Sequence, residues 1–66
     1  MVETIGQKIK KVRIAKKLNQ IGFSSELGIS QGRLSEIEKD KTKPSAETLK
    51  ALRKQFDVDL NWLLSD

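Results

Sequence analysis

A polar residue with an apolar residue one position before it and another four positions after it recurs three times in this chain. The sets are Leu18, Asn19 and Phe23; Ile29, Ser30 and Leu34; and Val58, Asp59 and Leu63. A polar side chain in that setting can accept backbone N–H groups that a helix start leaves free, while the apolar pair fixes the direction of entry. Helices are therefore expected to begin near Gln20, Gln31 and Leu60. Thr4 and Gln7 have the spacing of a reciprocal capping box, and Ile5, Ile9 and Val12 then fall on one helix face. A further helix should follow Ser45, because Pro44 disfavours helical backbone at Lys43 and Leu49, Leu52 and Phe56 recur at helical spacing. Ile14 lies off the first stripe and is expected to be a lone exposed apolar residue. No segment alternates as a strand would. The pattern predicts an all-α fold of five short helices, roughly 5 to 17, 20 to 27, 31 to 38, 46 to 56 and 60 to 64.

At 66 residues the chain suffices for one domain, 1–66, of modest stability, since so short a chain buries only about 60% of its unfolded surface. It contains neither cysteine nor histidine. Disulfides, thiolate or imidazole metal sites and a neutral-pH histidine base are thereby excluded, no cofactor is expected, and no acid–base or nucleophile pair stands at a convincing spacing. An enzyme is not expected. No apolar run approaches the length of a membrane span and no signal peptide is evident, so a cytoplasmic protein is expected.

The formal net charge is +4, and it is unevenly spread. Lys8, Lys10, Lys11, Arg13, Lys16 and Lys17 oppose only Glu3 in the first twenty residues, whereas the remainder is close to balanced. Such polarity suits a polyanion, either nucleic acid or an anionic membrane surface, although a merely solvated helix face has the same composition.

Gly28, Ile29 and Ser30 alone separate the second helix from the third. So short a turn, with a glycine free to take positive φ, forces a steep crossing of the kind found in a helix-turn-helix. Ordinary helical hairpins also use short glycine turns.

The segment NQIGFSSELGISQGRLSEIEKDKTKPS, residues 19 to 45, closely resembles the helix-turn-helix of the Cro and phage-repressor superfamily of Xre-like regulators. LRKQFDVDLNWLL, residues 52 to 64, resembles the closing helices of that family, and Ile9, Val12 and Arg13 match its first helix. The likeness spans nearly the whole chain and implies a five-helix, lambda-repressor-like DNA-binding domain. Some positions depart from the family pattern. Gly22 stands inside the second helix, where glycine costs about 1 kcal/mol relative to alanine, and Ser24 replaces a small apolar residue. Lys17, Asp40 and Asp57 stand where the family often has glycine. Gly32 occupies a position that often carries a base-reading side chain, so that readout is absent here or works through close backbone approach.

The resemblance also implies roles. Gln31, at the start of the third helix, is expected to pair bidentately with adenine, and Gly32, Arg33, Ser35 and Glu36 complete the base-facing set. Arg33 and Glu36 are also spaced for a plain surface ion pair. Gln20 is expected to meet a phosphate through its amide and a free helix-start N–H, and it can also orient Gln31. Asn19, Lys39, Lys41, Thr42 and Lys43 resemble phosphate clamps, and Arg13 and Glu38 match a family ion pair whose arginine has donors to spare for a phosphate. Core packing explains most of the cluster Leu60, Trp62, Leu63 and Leu64, but four large apolar residues in five positions exceed what one short terminal helix can bury, so part of this set is expected to form a dimer surface. The expected function is sequence-specific recognition of double-stranded DNA by a homodimeric transcriptional regulator, a repressor by family frequency. The chief rival is a protein-interaction module of antitoxin or anti-repressor type on the same fold.

Overall fold

The computed structural model describes residues 3–65. Within them are five helices and no strand: α1 (Ile5–Ala15), α2 (Gln20–Leu27), α3 (Gln31–Glu38), α4 (Ala46–Phe56) and α5 (Leu60–Leu64). Every expected cap forms. Thr4 and Gln7 make the reciprocal capping box of α1, and the side chains of Asn19, Ser30, Ser45 and Asp59 each accept first-turn N–H groups of the helix they precede.

α1 ends two residues earlier than its sequence pattern suggests, and the reason is local. Lys17 adopts a left-handed conformation (φ 60°), with its N–H donating to the Ile14 carbonyl and the Leu18 N–H donating to the Arg13 carbonyl. That pair of bonds satisfies carbonyls the helix end would otherwise leave free. α2, α3 and α4 close on the same device at Gly28, Asp40 and Asp57, with φ values of 74°, 61° and 54°. Three of the four left-handed positions thus carry a side chain. In three of the connections the next residue, Leu18, Ile29 or Val58, is apolar and closes one helix while flanking the N-cap of the following one. A single buried or half-buried side chain therefore fixes two helix ends, which lets the connections be so short.

A left-handed conformation disfavours a residue with a β-carbon by about 1–2 kcal/mol, less for aspartate than for lysine. Among the described residues no side-chain hydrogen bond offsets this at Lys17, which is exposed, so Lys17→Gly is expected to raise stability by about 1 kcal/mol. The midpoint of urea unfolding reads this directly, and a lower midpoint would contradict it.

The core consists of Ile9, Phe23, Leu27, Leu34, Ile37, Leu52, Val58 and Leu63, with the ring of Phe56 stacked on Phe23 at 4.7 Å between centroids. Ile14 is exposed, as its position off the stripe implies. Ser24 is buried, and its hydroxyl donates to the Ile21 carbonyl at 3.0 Å, so the polar atom in an apolar position is satisfied.

Two expectations are corrected by packing. Leu63 is fully buried in the protomer's own core and has no surface to offer a second chain; Trp62 and Leu64 are the exposed apolar members of α5, with Leu60 half-buried. Lys8 is not part of a basic face. It is buried against α5, where its ammonium donates to the carbonyls of Trp62 (2.8 Å) and Ser65 (2.9 Å) and lies 5.4 Å from the Trp62 ring centroid. The cation meets the negative end of that helix and satisfies its last carbonyls. No described helix is long and apolar enough to cross a membrane.

Candidate nucleic-acid interface

The Gly28–Ser30 turn sets the start of α3 beside the start of α2, and so brings together side chains that begin each helix. Ser30 holds the first turn of α3 by accepting from the Arg33 N–H at 3.0 Å, and Asn19 does the same for α2 with the Gly22 N–H at 2.8 Å. The Asn19 carboxamide retains its two N–H donors for another partner.

Behind these starts lies a buried carboxylate. Glu38, at the end of α3, accepts from Arg13 Nε at 2.8 Å and Nη2 at 3.2 Å, and Arg13 Nη1 also donates to the Leu18 carbonyl at 3.1 Å. The two side chains are 3% and 13% exposed, so the pair sits in the protein and is little screened. The same Glu38 oxygen that meets Nη2 also accepts from Gln20 Nε2 at 3.1 Å. Gln31 Nε2 in turn donates to Gln20 Oε1 at 2.7 Å.

This chain of bonds has a polarity. An ionised carboxylate can only accept, so Gln20 must turn its NH2 toward Glu38 and its oxygen toward Gln31. Gln31 must then use one N–H on Gln20. What remains at the outer edge of Gln31 is one N–H donor and one carbonyl acceptor, and Gln31 is exposed. A donor beside an acceptor at the edge of a planar amide is complementary to the N7 acceptor and N6 donor that adenine presents in the major groove.

The other expected site residues divide. Arg33 and Glu36 are exposed and do not pair with each other; the ion pairs among the described residues are Lys11 with Glu3 and Arg13 with Glu38. Ser35 is half-buried. A β-carbon added at Gly32 would meet nothing within 4 Å, so packing does not require glycine there. Lys39, Lys41 and Lys43 are exposed on the loop that follows α3. Thr42 is corrected: its hydroxyl oxygen is buried, without a hydrogen-bond partner among the described residues, and is not presented to a phosphate.

A family model described as a helix-turn-helix domain matches residues 6–66. The chain belongs to that family. This repressor-like helix-turn-helix domain is 30% identical over 63 residues to the immunity repressor protein of Bacillus phage phi105, a match covering 96% of this chain and 44% of that protein. The chain therefore spans less than half the length of that relative. Among solved structures it is similar to the P22 c2 repressor, crystallised in complex with synthetic operator 9T in the presence of Tl+, with a TM-score of 0.88, 28% identity and 97% of each chain covered. The five-helix, phage-repressor-like fold expected from the resemblance is the fold of this helix-turn-helix domain.

Two inward-turned charges are not apparent from residue type. Lys8 lies outside the site, three residues after Ile5 and four before Val12 on the apolar stripe itself, and that placement is the available signal of its burial. Asp40 carried no such signal, because its partners stand more than thirty residues away.

Proposed function

We propose that this chain is a sequence-specific double-stranded DNA-binding domain that acts as a transcriptional repressor in the cytoplasm, without a catalytic step. α3 enters the major groove, where Gln31 reads adenine and Arg33, Glu36 and Ser35 face neighbouring bases. The observation that carries this reading is the donor and acceptor left at the outer edge of Gln31 by its bond to Gln20. Asn19, Gln20, Lys39, Lys41 and Lys43 supply phosphate contacts on either side, and Arg13, held by Glu38, has two further N–H donors for the same use. The similarity to a repressor solved on operator DNA supports the same partner here. Exposed Trp62 and Leu64 support a homodimer formed through α5, and hence an operator of two-fold symmetry.

Lysine contacts to phosphates release counterions, so affinity for duplex DNA is expected to fall roughly tenfold or more when salt is raised from low to moderate concentration. Fluorescence anisotropy across a salt series measures the slope. Lys43→Ala should shallow that slope and weaken all duplexes alike; affinity indifferent to salt would contradict the phosphate contacts.

A further inference from the structure

The loop that leaves α3 carries Lys39, Lys41 and Lys43, all exposed, and within it Asp40 holds a left-handed conformation that glycine would adopt without strain. The carboxylate of Asp40 crosses to the start of α1. Its Oδ1 accepts from the Gly6 N–H at 3.0 Å, and its Oδ2 accepts from the Thr4 hydroxyl at 2.5 Å. That hydroxyl also accepts from the Gln7 N–H, so Asp40 joins the capping box of α1 from outside the helix. The first turn of α1 has no acidic residue of its own. Asp40 supplies from across the fold the negative charge and the acceptor that a helix start favours.

The contact is built from both sides. A β-carbon at Gly6 would lie 2.4 Å from the Ile37 carbonyl oxygen and 2.7 Å from Asp40 Oδ1, so glycine is what lets α1 approach the end of α3 this closely. On the loop side, the Asp40 N–H donates to the Ile37 carbonyl and the Lys41 N–H to the Glu36 carbonyl, so the backbone on which Lys39 and Lys41 stand is tied to α3 as well.

We infer that Asp40 is a positioning residue for DNA binding: its carboxylate straps the lysine-bearing loop to the start of α1 and sets Lys39, Lys41 and Lys43 in place before DNA arrives. This rests on the DNA-binding reading above. An aspartate among phosphate-contacting lysines would by charge alone oppose DNA; tied to the start of α1, it holds the loop that carries them. The consequence is lower ordering cost when the loop meets the backbone.

Two substitutions separate strap from charge. In Asp40→Asn the amide oxygen can still accept from Gly6, the amide NH2 can donate to Thr4, and asparagine tolerates the left-handed conformation. Asp40→Gly loses the same charge and the strap together. Asp40→Asn is expected to bind duplex DNA at least as tightly as the parent. Asp40→Gly is expected to bind about three- to tenfold more weakly than Asp40→Asn, on preferred and unrelated duplexes alike, the scale of ordering one or two side chains on binding. Amide hydrogen exchange of the free proteins should show Gly6 exchanging faster in Asp40→Gly only. Unchanged exchange at Gly6 would overturn the strap, and equal DNA affinity of the two variants would overturn its positioning role even if exchange accelerates. A parent protein that binds no duplex in the same assay overturns the DNA reading itself, and the exchange rates keep the two failures apart.

Discussion

Replacing Glu38 by alanine is expected to destabilise the domain by about 3–5 kcal/mol, because it leaves the Arg13 guanidinium buried without its partner. For a chain of this length total stability is on the order of 3–10 kcal/mol, so the loss is a large fraction of the whole. Arg13→Met should have an effect of similar size, stranding the carboxylate. The pair together is a different matter. Arg13→Met combined with Glu38→Leu removes both charges and keeps apolar volume, and should cost much less than the two single changes added. Urea denaturation of the parent, Arg13→Met, Glu38→Leu and the double variant completes the cycle, and strict additivity would contradict a coupled buried pair. The fold of the double variant should persist while its DNA selectivity falls, since Gln20 would have lost the acceptor that orients it.

The second large effect belongs to Gln31. Gln31→Ala removes an exposed side chain that, among the described residues, bonds to Gln20 alone, so the fold should be unaffected within about 0.5 kcal/mol. On the preferred site, however, a bidentate pair is lost, which should weaken binding by about 1–3 kcal/mol and relax the choice at that base pair alone. Affinity for unrelated duplexes, carried by phosphate contacts, should barely change. At the adjacent base pair Gly32 offers no side chain, so that pair should be loosely specified unless DNA shape or close backbone approach reads it. Competition titrations with single-base-pair variants measure both statements. A variant that weakens every duplex equally would mean that Gln31 is a phosphate contact.

Much of the fold was legible because local signals decide it. The N-caps at Thr4, Asn19, Ser30, Ser45 and Asp59 are choices made within a few residues of sequence, and each sits where its helix begins. The end of α1 was less legible. Lys16 and Lys17 are compatible with helix on propensity alone, and only the bonds from Lys17 and Leu18 back to the preceding turn stop it. The ion pair of Arg13 and Glu38 was accessible through resemblance, and the structure adds that its carboxylate also takes Gln20, which turns a pairing into a polarity.

What the sequence withheld concerns direction. Lysine and aspartate look solvated in a list of residues, yet Lys8 turns inward onto the end of α5 and Asp40 onto the start of α1. Thr42 likewise resembled a surface hydroxyl and has its oxygen buried. The apolar residues of α5 could not be apportioned between core and surface by counting, since on so short a helix Leu63 faces the core while Trp62 and Leu64 do not. Such divisions depend on which distant element lies opposite, and no local periodicity encodes that.

Selection of bound sites from a pool of random duplexes tests sequence-specific recognition by α3 most directly. If α5 closes a two-fold dimer and α3 reads bases, the selected sites should be inverted repeats with half-site centres about 10 base pairs apart, one adenine in each half-site required by the parent and no longer required by Gln31→Ala. Recovery of no shared sequence, with parent and Gln31→Ala binding the pool equally, would contradict sequence-specific recognition and favour a protein partner for the same helices.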